Sequence, residues 1–454
     1  MVTTVRKIQG AGGSGGLDDR PYWLSAADVD NAEGMAIDIA VDSVGNVITL
    51  SRRYIQSASE IQMLLIKYDT DGNLLWERLF SQDVGGFLRP VALALDSNDD
   101  VIMIGTVPRY TNNLERILIV KYNSSGVYQW LNTLFDTNLL HATDVVIDSS
   151  DNIIMSGFSK PSGRTKTVML LVKCDSSGNK LWDRYVYGNV DHDRGQCVAV
   201  DSNDNIFMAG DIAHATKNYL VGLVKYNTSG TLQWQRTVEG AYLIYGRGNI
   251  SVDPSDDLIL SCSPADSNYT LSIAIIKFNS SGTYQWDIVL PEPGGGDYAY
   301  PMSTVDTEGN VICVTYGGGT GFFDPPPSVP NKMVVIKVDS SGSYEWSNTI
   351  VASIGVDELH NVTTNAANSI FVSGTTGAFG SADSFMAKLP PDGTGQGTYG
   401  TLTFAALTIT PTTLSPTINT TGLLNGTGTL GEGTPGRTLS DGAATVTNTQ
   451  YVVT

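Results

Sequence analysis

Leu64-Leu-Ile-Lys-Tyr-Asp-Thr-Asp-Gly-Asn-Leu-Leu-Trp76 is a phrase that the chain repeats. An apolar run ends in Lys, a polar turn containing Gly follows, and Trp comes two or three residues later. Ile119-Val-Lys-Tyr-Asn-Ser-Ser-Gly-Val-Tyr-Gln-Trp130 is the next copy, and further copies end at Trp182, Trp234, Trp286 and Trp346. Six of the seven Trp close the phrase; Trp23 has the right residues after it and no apolar run before it. The intervals between successive Trp are 53, 54, 52, 52, 52 and 60 residues, the longest holding the insertion Gly317-Gly-Gly-Thr-Gly-Phe-Phe-Asp-Pro-Pro-Pro327. Repeats of this length cannot bury a core singly and stack into one body.

Around the phrase, each unit reads as four short strands. In the first unit Ile37, Ile39 and Val41 alternate with Asp38 and Ala40, a period of two that marks a strand. The turn Asp42-Ser-Val-Gly-Asn46 leads into Val47-Ile-Thr-Leu-Ser51, apolar enough for a strand covered on both faces. A variable stretch leads to a third strand at Met63 to Lys67, and the fourth begins near Trp76. The first turn recurs at Asp96, Asp148, Asp201, Asp253 and Asp306, and in degenerate form at Asn365. The second keeps Gly72, Gly126, Gly178, Gly230, Gly282, Gly342 and Gly393, each preceded by a Lys at 67, 121, 173, 225, 277, 337 or 388. Gly, Asn and Asp suit hairpin turns that need positive φ.

First, second and third strands occur seven times, but the last third strand, Ser384 to Leu389, has no Trp strand after it. The Trp23 strand precedes everything else. The sequence therefore predicts an all-β, seven-bladed propeller of four-stranded antiparallel blades over residues 20–393, in which the N-terminal strand at 20–30 completes the blade from 360–390. A closed ring leaves no blade face uncovered. Trp23, Trp76, Trp130, Trp182, Trp234, Trp286 and Trp346 read as packing between blades, and the recurring Lys as stems along apolar surface. Residues 1–19 read as a flexible, Gly-rich leader. Residues 394–454 read as an extended Thr/Gly-rich arm whose only charges are Glu432, Arg437 and Asp441. Such a segment cannot form its own core, and a neighbouring subunit is the expected surface to hold it, by strand addition or in a groove.

The repeat resembles the seven-bladed β-propeller repeat family of bacteriophage virion proteins and bacterial surface proteins, on Val41 to Leu50, Ile66 to Trp76 and their relatives, from residue 20 to about 393. The resemblance implies the fold and says little about activity, since propellers host many.

The net charge of −19 argues against nucleic acid or an anionic membrane as partner. No stretch approaches the ~18 apolar residues of a membrane span, and the N-terminus reads without an export signal. Cys174, Cys197, Cys262 and Cys313 fall in separate repeats without metal or redox spacing and read as small apolar side chains. The Asp-rich turns lack the rest of a calcium loop and read as capped hairpins. His141, His192, His214 and His360 sit in no nucleophile, metal, phosphate or dinucleotide motif. The expectation is a protein without cofactor and without enzymatic activity.

Short turns leave one face of the disc smooth, and the long connections gather on the other, the natural place for binding. Candidate contacts there are Arg52, Arg53, Tyr54, Arg109, Tyr110, His214, Tyr219, Tyr269, Tyr298, Tyr300, Phe322 and Phe323. Arg and Tyr anchor recognition surfaces, and the two Phe followed by three Pro form a stiff apolar projection. These readings give a virion structural protein of tail, fibre or capsid surface. Its arm would join other virion proteins or copies of itself, and its loop face would meet a host protein or glycan. A carbohydrate-binding protein of the bacterial cell surface is the alternative. A lyase or quinone-dependent dehydrogenase would need His, Arg and carboxylates converging on the loop face.

Overall fold

Seven sheets follow one another along the chain in a computed structural model. It describes residues 3–9, 23–29, 33–55, 60–81, 88–107, 115–135, 139–161, 165–188, 192–215, 218–239, 244–245, 248–264, 271–291, 300–317, 332–352, 357–376, 383–394, 397–399, 402–407, 409–412, 416–419, 424–427 and 431–433. Blade 1 is Glu33–Val41, Val47–Ile55, Glu60–Tyr68 and Leu74–Phe80, paired in that order and antiparallel. Blades 2, 3 and 4 repeat the meander from Arg89–Leu95 to Tyr128–Phe135, from Leu140–Ile147 to Lys180–Tyr187, and from Arg194–Val200 to Leu232–Glu239. Blade 5 runs from Ile250–Val252 to Tyr284–Pro291, and blade 6 from Met302–Val305 to Tyr344–Ala352. Blade 7 takes Asp357–Thr364, Ile370–Thr376 and Asp383–Leu389, and its fourth strand is Trp23–Val29. Leu24 faces Ala387 and Ala27 faces Ser384, so the start of the chain closes the ring as the sequence predicts.

Closure also shows in the core. Seven buried clusters each span two neighbouring blades. The closing one joins Ile39, Val47, Leu64, Ile66 and Tyr68 of blade 1 to Phe371 and Met386 of blade 7. Fully burying each such side chain contributes about 1.5–3 kcal/mol, so every interface has its own apolar stabilisation.

Repeated polar contacts lock the same interfaces. The third-strand Lys reaches the first Asp of its own blade's hairpin: Lys67 to Asp42 at 2.9 Å, Lys121 to Asp96 at 2.6 Å, Lys173 to Asp148 at 2.6 Å, Lys225 to Asp201 at 3.0 Å, Lys277 to Asp253 at 2.6 Å and Lys337 to Asp306 at 3.5 Å. Lys67 and the Trp76 indole then both donate to the Ser124 carbonyl of blade 2, at 3.1 and 3.3 Å. Lys173 with Trp182, and Lys225 with Trp234, do the same to Thr228 and Ser280. The indole lies against the turn glycine beside that carbonyl: a Cβ on Gly282, whose φ is +74°, would fall 2.9 Å from Trp234. The turn thus needs Gly twice, for its backbone and for the ring packed on it.

On the smooth face the first hairpins are laced together. Ser43, Ser97, Ser149 and Ser202 donate to Asp99, Asp151, Asp204 and Asp256 of the next blade, with Oγ–Oδ2 distances of 2.6 to 2.8 Å. Each acceptor Asp has φ between +58° and +62°, a conformation that Asp tolerates. Pro254 and Gly309 stand at donor and acceptor places between blades 5 and 6, and Ala366 and Gly45 between blades 7 and 1, so neither junction can form this rung.

The arm lies against this chain's own blades, where a neighbouring subunit was expected. Leu402–Ala406 pairs outside blade 6, Thr412 bridges to Val289 of blade 5, Thr417–Asn419 pairs with blade 4, Leu424–Thr427 with blade 3 and Gly431–Gly433 with blade 2. Thr3–Gln9, which reads from sequence as part of a flexible leader, is instead a strand in the same outer place on blade 7, held by backbone pairing to Trp23–Val29. The arm needs no core of its own because backbone pairing to exposed strand edges holds it, and Ile409 is buried in the cluster between blades 5 and 6 while Ile418 packs against that between blades 4 and 5.

Candidate functional site

The first strand of every blade starts at the long-loop face and borders the axis, touching the first strands of its neighbours. A β-bulge interrupts several of them, between Ala36 and Asp38, Ala142 and Asp144, and Leu359 and Asn361. A bulge re-aims side chains, and it turns the following residue toward the next blade. Asp38 accepts from the Ile39 and Leu93 amides at 2.8 and 2.7 Å, and the Asn361 amide donates to it from blade 7. Asp144 accepts from Val145 and Val198, and Asn249 exchanges hydrogen bonds with Ser303. Burial pushes the Asp38 and Asp144 carboxyls up to about 7 against the pull of these amides, and the Asp38 charge adds to the rise at Asp144. These axial groups tie blades together.

Two clusters lie toward the loop face. In the first, His141 Nδ1 is 3.2 Å from Glu115, and Arg89 approaches the same carboxylate at 3.4 Å. The His141 hydrogen bond holds Glu115 below its ordinary range despite partial burial. Phe158 stacks on His141 at 4.9 Å, and Arg194 sits 5.3 Å over the Phe158 ring. In the second, Tyr300 stacks on Tyr316 with centroids 5.9 Å apart, and Tyr316 meets His360 at 6.3 Å. Burial drives His360 down to about 4 and raises Glu358, 3.5 Å away. A neutral imidazole, a hydroxyl partner in Thr375 at 3.1 Å and a stacked pair of phenols suit a hydroxyl-bearing or planar ligand. Among the described residues, no group of three His, Cys, Asp or Glu is arranged to hold a metal ion.

Of the sequence candidates among the described residues, only Tyr300 falls in such a cluster. Arg53 is buried and donates to Gln62 at 3.0 Å, while Arg52 lies 5.9 Å over Tyr54, so these three are engaged within blade 1. His214 and Tyr219 stand in the facing second and third strands of blade 4. Arg109, Tyr110, Tyr269, Tyr298, Phe322 and Phe323 lie outside the described residues. Glu115, Phe158, Tyr316 and Glu358 were missed, and nothing in their local sequence marks them. A cavity of about 440 Å³ opens on the smooth face, lined by Ser202, Asp253, Pro254, Asp306, Thr307 and Asn365 among others, where the Pro254–Gly309 rung is lacking. Its Asp253 and Asp306 are held by Lys277 and Lys337.

No family model matches the chain. It is 24% identical over 275 residues to an uncharacterized WD repeat-containing protein of Acanthamoeba polyphaga mimivirus, a match covering 50% of this chain and 18% of that protein. The chain thus spans less than a fifth of that relative's length. Among solved structures it is similar to the β-propeller domain of the Trilobed protease from Pyrococcus furiosus, with 7% identity, a TM-score of 0.45, and 78% of this chain and 93% of that chain covered. A glucose dehydrogenase matches with 8% identity and a TM-score of 0.38, covering 81% of this chain and 99% of that chain. The fold itself rests on the seven closed blades.

Proposed function

We propose that this protein is a non-enzymatic virion structural protein that turns its long-loop face toward a host surface or a neighbouring subunit. One observation carries the reading. The residues that recur in the repeats, such as Lys173 donating to the Thr228 carbonyl, Ser149 with Asp204 and Trp182 beside Gly230, join blades to one another. The residues that differ between repeats gather at the loop-face ends of the strands. A disc locked at its interfaces is a rigid platform for a variable surface. The viral source of the WD-repeat relative supports the viral setting. The arm's part in assembly changes, because its described strands lie on this chain's own blades; contact with other virion proteins or further copies falls to the loop face. Immunogold labelling of purified particles with antibody to the full chain tests the reading. Decorated particles are expected, and protein recovered wholly free of particles after density-gradient separation refutes it.

The Tyr300–Tyr316 pair beside His360 favours glycan binding as a second reading, since aromatic faces stack on sugar rings. A glycan array probed with the full chain should then show a defined ligand that Tyr316→Ala loses.

A further inference from the structure

The arm keeps a fixed step. In blades 6, 5, 4, 3 and 2 the residue three places after the blade's Trp is Thr349, Val289, Thr237, Tyr185 and Thr133, and these face Ala405, Thr412, Asn419, Gly426 and Gly433. The arm therefore advances seven residues per blade without exception over five blades. Blade 1 is next in that direction, and its fourth strand, Leu74–Phe80, has no outer partner among the described residues. We infer that Arg437-Thr-Leu-Ser-Asp441 pairs antiparallel with Leu74–Phe80 in the same chain and completes a belt around the disc.

The step sets the register. Leu79 stands three places after Trp76, and the residue seven beyond Gly433 is Ser440. Leu439 then faces Phe80, and Asp441 faces Arg78, which places opposite charges across the pair. The edge itself shows the gap. Thr133, Tyr185, Thr237, Val289 and Thr349 are all buried beneath the arm, at 4 to 9% exposure, whereas Leu79 is half-buried. An uncovered edge is also a standing template for association. The belt has no place beyond blade 1, because on blade 7 the equivalent residue, Ala26, already faces Arg6.

Disulfide trapping in the full chain tests the register. Leu79→Cys combined with Ser440→Cys should oxidise to an intramolecular bond at monomer mobility, while Leu79→Cys with Thr447→Cys stays reduced. The four native thiols are buried and do not compete. Disulfide-linked dimers whose yield grows with concentration would place another copy's arm on the edge and overturn the proposal, as would the absence of any bond between 79 and 440. If the double variant fails to fold, hydrogen exchange of the chain ended after Gly433 decides. Amides of Leu74–Phe80 should exchange about tenfold faster than in the full chain, with those of Tyr128–Phe135 unchanged. Equal rates at Leu74–Phe80 refute the pairing.

Discussion

Replacing Lys173 by Met removes an ammonium that is 2% exposed from between Asp148 and the Thr228 turn of blade 4. At an effective dielectric near 20, charges at the 2.6 Å separation of this pair attract by about 6 kcal/mol. Taking both ions out of water cancels much of that, so the intact pair adds little net stability. Removing one partner is different, because Asp148, 1% exposed, keeps its desolvation cost and loses its counter-ion. The expected loss for Lys173→Met is about 3–5 kcal/mol, read as a lowered urea midpoint. Asp148→Asn alone should also destabilise, since it leaves Lys173 charged and buried. The double variant Lys173→Met/Asp148→Asn should recover at least half of the summed loss, because neither group is then stranded. Blade 7 has the neutral end of this arrangement already, with Asn365 where the other blades carry Asp. A Lys173→Met midpoint within about 0.5 kcal/mol of the parent, or single losses that simply add, would refute the reasoning.

Gly282→Ala forces a side chain onto φ +74° and into Trp234, and should cost more than Gly309→Ala, where φ is +82° but the nearest atom is Ser340 Cβ at 3.3 Å; the strain alone is about 1–3 kcal/mol, and equal losses in thermal unfolding count against the indole contact. Asp144 is raised from 3.8 to about 7, so the folded ring keeps a proton that the unfolded chain has released, and its stability is full below about 4 and falls as pH climbs to 7. His360, lowered from 6.5 to about 4, works the other way over pH 4 to 6.5. Asp144→Asn should therefore gain on the parent between pH 5 and 7 by at most about 1.4 kcal/mol per pH unit, and a gap that ignores pH argues against a raised carboxyl. Deleting residues 394–454 bares the outer edges of blades 2 to 6, and size-exclusion chromatography should show aggregation; a monodisperse truncated disc would mean that the belt protects nothing.

The architecture was legible because its signals recur. Trp at a fixed interval gave the blades, and Trp23 without an apolar run pointed to the closure that Leu24 and Ala387 now show. The belt on the chain's own blades was not legible, because pairing to a strand edge through the backbone leaves little in the side-chain pattern to name the partner. Asp38 passed as the polar half of an alternation; the bulge at Ile37 shifts the phase and turns it into an inter-blade tie, and a bulge has no signature in a period of two. The Lys–Asp pairs were half visible. Lys and Asp each recur at fixed places, but their partnership spans about two dozen residues, too far for a local window to join. The loop-face clusters come from residues on different blades, such as Glu115 with His141 and Tyr316 with His360, which no local window joins.

The axial residues hold a consequence of counting. Going round the ring, the place that Asp38 occupies carries Asp38, Ala92, Asp144, Cys197, Asn249, Met302 and Asn361. Side chains that tie to the next blade alternate with side chains that do not, Asp38, Asp144 and Asn249 each accepting a backbone N–H from the blade that follows. An odd number of sectors cannot alternate perfectly, so two ties must meet somewhere, and two carboxylates meeting would repel. The mismatch falls where tail and head of the sequence join, and there one of the pair is an amide, so Asn361 can give Asp38 a proton to share. A circular permutant opened at another junction would keep this handshake inside a continuous chain, and a version with one sector removed would have no use for it.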